Sequence, residues 1–521
     1  MKTTPEELMR NMVTGEVLAR NARRFADQEA VVHAGKRFTY GGFNDRVNRL
    51  ANGLLFLGVQ PGDRVAVLLH NGNEILESFL AVNKLGAMAV PLNFRLVAPE
   101  LAYIVDDAEA GVFIFGVEFS ETVAGLRPYL PSVNQFVCVG GSCPGFAQDY
   151  EQVIQSAPAG EPLIYVEDND PAFIMYTAGT TGRPKGAVLT HKNIIQCAVN
   201  GIIERGSYLR ERCLIVLPVF HVAAWGICLS TVYRGGAMVV QKSFDPETVL
   251  KTIAGEKVTQ ILLVPTMATA LLQAPGLDKY PLDSLRTFVV GGAVTPAEVK
   301  KKILVAFPNV GLYDAFGQTE MSPTVTMLKP EDVLRKPGSI GKALVNVEIR
   351  LVDEFDEDVC PGEVGEAVYR GPTVMKEYFR QPQATAQAMR GGWFHGGDLM
   401  RADEDGFYYV VDRKKDMIIS GGENIYSAEV EEVLHTHPKI AEAAVIGVPD
   451  EKWGEAVRAL IVLRPEEEMS EREIIWFCRG RIAGYKIPRS AEFLPVLPRN
   501  AAGKVLKRLL RESSGVRGNG G

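Results

Sequence analysis

The stretch YTAGTTGRPKGAVLTH, residues 176–191, is rich in glycine and hydroxyl side chains and contains a lysine. Glycines let backbone amides approach an anion closely, threonines add donors, and the lysine adds a positive charge, so the stretch predicts a polyphosphate-binding loop. Its candidate ligands are Thr177, Gly179, Thr180, Thr181, Gly182 and Lys185. Pro184 stands where a Walker loop carries glycine, so the common ATPase and GTPase folds are not indicated. Alone, such a loop is equally typical of a flexible turn.

Outward from this loop, short apolar runs alternate with helical patterns, which is typical of parallel strands joined by crossover helices. The first such series is DRVAVLLH (63–70), EILESFLAVNKLG (74–86) and AMAVPLN (87–93). Later apolar runs are LIVLPVFH (214–221), VTQILLVP (258–265) and LRTFVVGG (285–292). Polar or glycine residues follow each of these later strands, where open α/β sheets bind their ligands.

After about residue 340 the pattern changes to the alternating runs VEIRLVDE, GEVGEAVYRG and GFYYVVDRKKD, which predict a strand-rich, barrel-like subdomain. From Met417 a smaller α/β unit of about 105 residues is expected. The chain has 521 residues, more than one hydrophobic core usually supports, so at least two domains are expected.

The composition excludes several classes of protein. The net charge is −7 with both signs interspersed, which argues against a nucleic-acid partner. The run Lys300 to Lys302 is interpreted as a solvated helix face. The seven cysteines form no CxxC pair, so we expect neither a disulfide framework nor a zinc site, and a reducing cytoplasm fits best. No signal peptide or membrane span is expected, because no long uninterrupted apolar run occurs.

Four further segments follow the loop in order: YDAFGQTE (313–320), GGWFHGGD (391–398), DRKKDMIISGGEN (412–424) and RNAAGKVLKR (499–508). With the loop, they resemble the adenylate-forming superfamily of acyl-CoA synthetases, peptide-synthetase adenylation domains and luciferases. Five motifs in one order over about 330 residues are far more specific than any one of them.

The resemblance implies an α/β fold with two domains. The large N-terminal adenylation domain, residues 1–414, would contain two doubly wound sheets plus a β-barrel-like subdomain, and would hold ATP and the acyl group. The small C-terminal α+β domain, residues 415–521, would be mobile. Lys415 would be the hinge of this domain. After adenylation the small domain would rotate and bring residues 420–424 over the active site.

The resemblance also assigns the nucleotide site. Glu320 would bind Mg²⁺ and Thr319 would contact phosphate, whereas the TE pair alone could be a surface feature. Asp398 would accept hydrogen bonds from the ribose hydroxyls, and Arg413 would reach the ribose and phosphates; otherwise Arg413 and Lys414 would be a solvated charge run. The adenine would lie against Gly291, Gly292, Ala293, Asp314, Ala315, Phe316 and Gly317.

The catalytic assignments are Thr177 and Lys185 in the loop, together with Lys504 and His221. Lys504 would bridge the attacking carboxylate and the phosphoryl group in the first half-reaction, although without the resemblance it would be interpreted as solvated. Coenzyme A would contact residues near the hinge and on the surface of the small domain. These residues are Gly421, Gly422, Trp453, Lys486 and Arg489.

The expected acyl pocket consists of His221, Trp225, Val290 and Gly291. His221 would orient the reacting carboxyl group as a neutral imidazole, although a lone histidine is more often structural. Trp225 matches a residue that gates the fatty-acyl tunnel in some long-chain acyl-CoA synthetases, and could instead be a core aromatic. Because no acidic or basic side chain is evident for a charged substrate, we expect an uncharged acyl group.

These expectations predict a cytoplasmic, AMP-forming carboxylate–CoA ligase of fatty-acid metabolism that uses ATP, Mg²⁺ and coenzyme A. A medium- or long-chain fatty acid is favoured, with aryl or alicyclic acids as alternatives. A peptide-synthetase module is less expected, because such a module would usually continue into a carrier domain and the chain stops soon after Lys504. An acyl-adenylate transferase acting on a carrier protein is another alternative. A luciferase-like oxygenase and a catalytically inactive binding protein are further alternatives, and a homodimer is compatible with all of these functions. The family's serine and threonine are replaced by Ala178 and Gly396, each of which loses a hydroxyl near the nucleotide.

Overall fold

The computed structural model describes residues 12–177, 184–207, 209–293, 295–414, 416–420, 423–499 and 505–514. It contains two compact units. The large unit comprises Met1–Ile349 and Tyr369–Phe394, and the small unit comprises Arg350–Val368 and His395–Gly521. The predicted boundary at Lys415 concerns a hinge movement, and it stays a prediction.

The strands are numbered along the chain. They are β1 (Glu29–His33), β2 (Lys36–Thr39), β3 (Arg64–Leu68), β4 (Met88–Pro91), β5 (Val112–Gly116), β6 (Gln135–Val139), β7 (Gln148–Asp149), β8 (Pro171–Thr177), β9 (Lys185–Thr190), β10 (Arg212–Ile215), β11 (Ala237–Val240), β12 (Gln260–Leu263), β13 (Thr287–Gly291), β14 (Gly311–Gly317), β15 (Thr324–Leu328), β16 (Lys342–Ala343), β17 (Glu348–Val352), β18 (Gly365–Arg370), β19 (Glu377–Tyr378), β20 (Phe394–Ala402), β21 (Tyr408–Arg413), β22 (Ile418–Ser420), β23 (Glu423–Ile425), β24 (Ile440–Asp450), β25 (Gly454–Leu463) and β26 (Ser490–Phe493).

The helices are numbered in the same way. They are α1 (Thr14–Arg24), α2 (Tyr40–Phe56), α3 (Asn73–Lys84), α4 (Ala98–Asp107), α5 (Ser120–Leu126), α6 (Tyr150–Gln155), α7 (His191–Arg205), α8 (Val222–Tyr233), α9 (Pro246–Glu256), α10 (Pro265–Leu272), α11 (Ala297–Ala306), α12 (Pro382–Ala388), α13 (Ser427–His435), α14 (Glu471–Cys478) and α15 (Lys507–Ser513).

The large unit contains two sheets, as predicted. One has the strand order β16-β15-β14-β13-β12-β10-β11-β1-β2, and the other has the order β19-β9-β8-β4-β3-β5-β6-β7. β10, β12, β13 and β14 pair in parallel, so their carboxyl ends share one edge of the first sheet. Parallel strands with helices on both faces are buried on both faces, and β5 is buried along its whole length. Each large apolar side chain buried in this way stabilises the fold by about 1.5–3 kcal/mol.

The apolar run 214–221 is only partly a strand. β10 ends at Ile215, and the residues after it form a loop that leads into α8. Pro218 lies in this loop, and a proline cannot donate a hydrogen bond to a strand partner. The difference matters because this loop carries His221.

The small unit contains the C-terminal α+β fold. β22, β23, β24 and β25 form one sheet with β26 pairing in parallel to β25, and α13 packs on β24. The strand-rich region predicted as barrel-like forms a four-stranded sheet in the order β17-β18-β20-β21. In the described part of the chain, no helix is both long and apolar enough to cross a membrane.

The interpretation of Lys300 to Lys302 as a solvated face is wrong for Lys300. The residue is 1% exposed, and its Nζ lies 2.6 Å from Asp314 Oδ2. Lys301 and Lys302 are exposed as expected. Helix α11 turns Lys300 inward, where the carboxylate on β14 compensates the buried charge.

Candidate active site

The two ends of the glycine-rich loop lie at the edge of a sheet. β8 and β9 are antiparallel neighbours, and their last pair is Thr177 opposite Lys185. Ala178, Gly179, Thr180, Thr181 and Gly182 lie outside the described residues. The two assigned side chains that the structure describes, Thr177 and Lys185, therefore start and end the loop side by side.

Glu320 joins this edge from a distant part of the chain. Its Oε1 accepts hydrogen bonds from Thr177 Oγ1 at 3.3 Å and from the Tyr378 hydroxyl at 3.1 Å. The Lys185 Nζ lies 5.2 Å from the centroid of the Tyr378 ring. The structure therefore brings together the predicted phosphate ligands and the predicted metal ligand.

Tyr378 was missed by the sequence analysis. It stands in the two-residue strand β19, which shows no periodicity from which a site could be inferred. Only its contacts with Glu320 and Lys185 reveal it. Thr319 lies beside Glu320 in a single helical turn, Thr319–Met321.

The carboxylate of Glu320 fits a magnesium ion that is shared with phosphates. No group of three or more histidine, cysteine or acidic side chains arranged for a metal occurs in the part of the chain that the structure describes. Mg²⁺ keeps several waters and is usually held by one or two carboxylates plus substrate phosphates, so a single carboxylate beside a phosphate loop suits it.

The two predicted adenine segments lie side by side at the ends of β13 and β14. Val290 pairs with Asp314 and Gly291 pairs with Ala315. A Cβ added to Gly291 would lie 2.6 Å from the Ala315 carbonyl oxygen, and Gly292 has a φ of +81°. Glycine is therefore required at both positions, for close strand approach and for a left-handed turn.

The remaining predicted adenine residues lie at the same two strand ends. Ala293 comes directly after the turn at Gly292, whereas Phe316 and Gly317 close β14. The Asp314 side chain is engaged with the buried Lys300, so only its backbone remains for a nucleotide. Burial raises the pKa of the Asp314 carboxyl, although the Lys300 ammonium acts to lower it.

The predicted ribose ligands form a pair in the small unit. Asp398 on β20 lies opposite Arg413 on β21, and the Arg413 Nε lies 2.5 Å from Asp398 Oδ1. Asp398 is 1% exposed. Lys414 is anchored as well, because its Nζ lies 2.9 Å from the buried Glu366 Oε2. The alternative of a solvated charge run therefore does not fit Arg413, whereas the Lys414 side chain is ion-paired but still 50% exposed, as in a solvated charge run. Gly396 lies on β20, two residues before Asp398.

His221 precedes helix α8 with a partly buried, neutral imidazole. Its Nε2 is buried and has no hydrogen-bond partner among the described residues. Burial lowers the pKa of His221 to about 4, with a smaller contribution from the Arg95 guanidinium. The neutral ring can orient a substrate oxygen but cannot carry a charge at neutral pH.

The loop before His221 is held by Asn71, which the sequence analysis also missed. The Asn71 Nδ2 donates to the Leu217 carbonyl at 2.9 Å, and the Val219 amide donates to Asn71 Oδ1 at 2.9 Å. Asn71 is buried and follows β3, so its side chain links the two sheets of the large unit. A single buried amide thus fixes the backbone that carries His221.

Trp225 lies in a tightly packed aromatic core. It is 2% exposed, with ring centroids of Phe79 at 5.3 Å and Phe173 at 5.6 Å. This packing matches the core-aromatic alternative, and a role in gating an acyl tunnel stays a prediction. Val290 is likewise fully buried.

The predicted coenzyme A residues make different contacts in the structure. The Arg489 guanidinium lies 4.9 Å from the Trp453 ring centroid, so these two form a cationic aromatic surface. Lys486 is instead bound to the Glu429 carboxylate at 2.7 Å. The other predicted residues, Lys415, Gly421, Gly422 and Lys504, lie outside the described part of the chain.

The chain is similar to known proteins over most of its length. Residues 18–379 match the family model for an AMP-binding enzyme, and residues 429–504 match the AMP-binding enzyme C-terminal domain. The chain is 42% identical over 508 residues to feruloyl-CoA synthase of Amycolatopsis sp., which covers 97% of this chain and 100% of that protein. It is 38% identical over 476 residues to the long-chain-fatty-acid–CoA ligase FadD13 of Mycobacterium tuberculosis, covering 91% of this chain and 93% of that protein.

A solved structure is also similar over nearly its whole length. This is the o-succinylbenzoate coenzyme A synthetase MenE from Bacillus subtilis, in complex with ATP and a magnesium ion. It is 32% identical and has a TM-score of 0.84, covering 95% of this chain and 99% of that chain.

Proposed function

The chain belongs to the AMP-binding enzyme family as an AMP-forming carboxylate–CoA ligase of the adenylate-forming superfamily, and we propose that its substrate is a carboxylic acid whose acyl group is apolar and carries no further charge. A medium- or long-chain fatty acid is the first candidate. The observation that supports the assignment of the reacting centre is the convergence of Thr177, Lys185 and Glu320.

In the first half-reaction, the acid's carboxylate attacks the α-phosphorus of ATP, and pyrophosphate leaves. Negative charge builds up on the phosphoryl oxygens, and preorganised donors and cations stabilise it. We assign this task to the glycine-rich loop and Lys185, together with Lys504. A bound Mg²⁺ would neutralise phosphate charge, and Glu320 would hold it.

Nucleotide recognition is assigned to two places, one for the ribose and one for the adenine. Asp398 would accept the ribose hydroxyls, because a buried carboxylate held by Arg413 is oriented for such donors. The adenine would lie at the ends of β13 and β14. Each assignment is supported by the position of the residues at strand ends or in a fixed ion pair.

In the second half-reaction, the coenzyme A thiolate attacks the acyl-adenylate carbonyl carbon, the thioester forms and AMP leaves. His221 would orient the acyl carboxyl group through its Nε2. Trp453 and Arg489 would meet coenzyme A at the surface of the small unit, with Lys415 as the hinge.

The cysteines are all free thiols, which supports a reducing, cytoplasmic compartment.

An aromatic acid is the second candidate, and a specific observation favours it. The Phe220 ring centroid lies 4.4 Å from that of His221, with the rings tilted by 47°, and 5.3 Å from that of Phe94 in an edge-on arrangement. Aromatic rings prefer such offset or edge-on partners, so these side chains suit a ring next to the reacting carboxyl group. The similarity to feruloyl-CoA synthase supports the same candidate.

The test is AMP release with ATP and Mg²⁺ across fatty, aryl and alicyclic acids, each with and without coenzyme A. Coenzyme A-dependent turnover restricted to fatty acids would support the first candidate, and turnover restricted to aryl acids would support the second. Pyrophosphate exchange without coenzyme A-dependent release would contradict the ligase assignment and indicate transfer to another acceptor.

A second test separates the half-reactions. Lys504→Ala should suppress adenylation far more than thioester formation from supplied acyl-adenylate. Equal loss of both half-reactions would contradict the assignment of Lys504 to the first.

A further inference from the structure

We propose that Tyr378 is a positioning residue of the ATP site, which orients the Glu320 carboxylate with its hydroxyl and the Lys185 ammonium with its ring. The inference rests on the proposed function, in which Glu320 holds the magnesium ion and Lys185 meets the phosphates. It adds a residue from the segment after β18, outside the five motifs.

The backbone around Tyr378 is held on both sides of its short strand. The Lys376 amide donates to the Val188 carbonyl at 2.9 Å, and the Phe379 amide donates to the Gly186 carbonyl at 2.7 Å. The Tyr378 amide donates to Thr385 Oγ1 at 2.9 Å. β19 therefore lies against β9, the strand that begins at Lys185, and the position of the tyrosine relative to that lysine is set by sheet pairing.

The same segment holds Glu320 at two points. The Met375 amide donates to the Glu320 carbonyl at 2.7 Å, and the Tyr378 hydroxyl donates to Oε1. Both hydrogen bonds to the carboxylate, from Tyr378 and Thr177, end on Oε1. Rotation of the carboxylate is thus restricted, and Oε2 is the oxygen that remains for a metal ion among the described contacts.

A side chain that hydrogen-bonds a metal ligand raises metal affinity by restricting the orientations of that ligand. Loss of such an outer partner typically weakens metal affinity by about 10- to 100-fold. Here the hydroxyl and the ring of one side chain serve different groups, because the ring lies beneath the Lys185 ammonium. Phenylalanine would keep the ring and remove only the hydroxyl, so the two contributions can be separated.

A purely structural role makes a different prediction. Under this alternative, the half-buried Tyr378 side chain would contribute packing and no orientation of Glu320. Loss of packing would lower the midpoint of thermal unfolding without changing the affinity for a metal ion. Tyr150 provides the matched control, because its hydroxyl donates to Glu77 Oε2 at 2.9 Å in a buried position outside the site.

The experiment measures binding of Mn²⁺ in the presence of α,β-methylene-ATP, by the electron paramagnetic resonance of free Mn²⁺, in the full chain. Tyr378→Phe should raise the Kd for Mn²⁺ by about 10-fold or more, and Tyr150→Phe should leave it within about 2-fold. At saturating Mn²⁺, Tyr378→Phe should bind the nucleotide like the wild type. Tyr378→Leu should bind it several-fold more weakly, because the ring beneath Lys185 is lost.

Glu320→Gln distinguishes failure of this inference from failure of the proposed function. If Glu320→Gln weakens Mn²⁺ binding and Tyr378→Phe does not, the metal assignment stands and the role of Tyr378 is overturned. If Glu320→Gln leaves Mn²⁺ binding unchanged, the metal assignment fails and the inference falls with it. A thermal unfolding midpoint measured for each variant separates misfolding from a local change. If Tyr378→Phe unfolds early, the Kd for Mn²⁺ is measured below the transition temperature of that variant, and an unchanged Kd there also overturns the inference.

Discussion

Replacing Lys300 by methionine should destabilise the large unit strongly, although Lys300 stands in a run of three lysines. The substitution leaves the Asp314 carboxylate without its partner at a position that is 4% exposed. Removing one member of a buried ion pair typically costs about 3–5 kcal/mol, because the remaining charge cannot recover its hydration. Methionine matches the length of the lysine stem, so little packing is lost.

The expected shift in melting temperature follows from the size of the large unit. Unfolding entropy is about 2.1 cal/mol/K per residue, so a unit of 375 residues has an unfolding entropy of about 0.8 kcal/mol/K. A loss of about 3–5 kcal/mol therefore lowers the transition of this unit by about 4–6 °C.

The effect should depend on pH with a definite sign. Burial already raises the pKa of Asp314 in the folded protein above its unfolded value, and loss of Lys300 removes the charge that opposes this rise. A carboxyl whose folded pKa is raised stabilises the fold at low pH and loses that contribution as pH rises through the folded pKa. Lys300→Met should therefore be more destabilising at pH 8 than at pH 5.

The assay is differential scanning fluorimetry at both pH values, with Lys301→Met as the matched control on the same helix. The Lys301 side chain is 58% exposed, so its loss should change the melting temperature very little. The double variant Lys300→Met with Asp314→Leu should recover most of the stability, because no charge is left buried. A surface substitution typically shifts the melting temperature by no more than about 1 °C. A shift this small for Lys300→Met would refute the reasoning. A double variant that is as unstable as Lys300→Met alone would refute it as well.

Three further predictions concern the site. Asn71→Asp removes the donor to the Leu217 carbonyl, so KM for the acid should rise by about 10-fold with KM for ATP nearly unchanged; the buried Asn83→Asp, which loses a similar bond elsewhere, should show no such split in steady-state kinetics. Asp398→Ala should abolish the preference for ATP over 2′-deoxy-ATP, and an unchanged ratio of kcat/KM values would contradict its ribose role. Gly291→Val should force β13 and β14 apart, at a cost of about 1–3 kcal/mol, and should raise the Kd for ATP measured by calorimetry; an unaltered Kd would mean that these strand ends do not hold the nucleotide.

The parts of the fold that follow from local patterns were predicted well. The apolar run at 63–70 became β3, the pattern at 74–86 became α3, and the run at 87–93 became β4. Each depends on the periodicity of its own residues. The run at 214–221 was less predictable, because the loop after β10 takes its shape from Asn71, 146 residues before Leu217.

Prediction of the candidate site was similarly divided. Lys185 and Thr177 could be named because the residue types of their loop suit phosphate binding, whereas Glu320 could be named only through the resemblance to the adenylate-forming superfamily. Tyr378 and Asn71 could not be named, because a tyrosine in a two-residue strand and an asparagine after a strand have no local signature. Their importance comes only from the atoms that they contact.

The amino-acid sequence was sufficient to determine the α/β fold class, the family and the order of the site motifs, because hydrophobic period, glycine positions and charged ligands are properties of neighbouring residues. The tertiary structure alone decided that Lys300 is buried, that Tyr378 bonds Glu320, and that Asn71 holds the loop before His221. These contacts join residues that are distant in sequence, and their stability depends on burial and partner geometry, which arise only when the sheets have assembled.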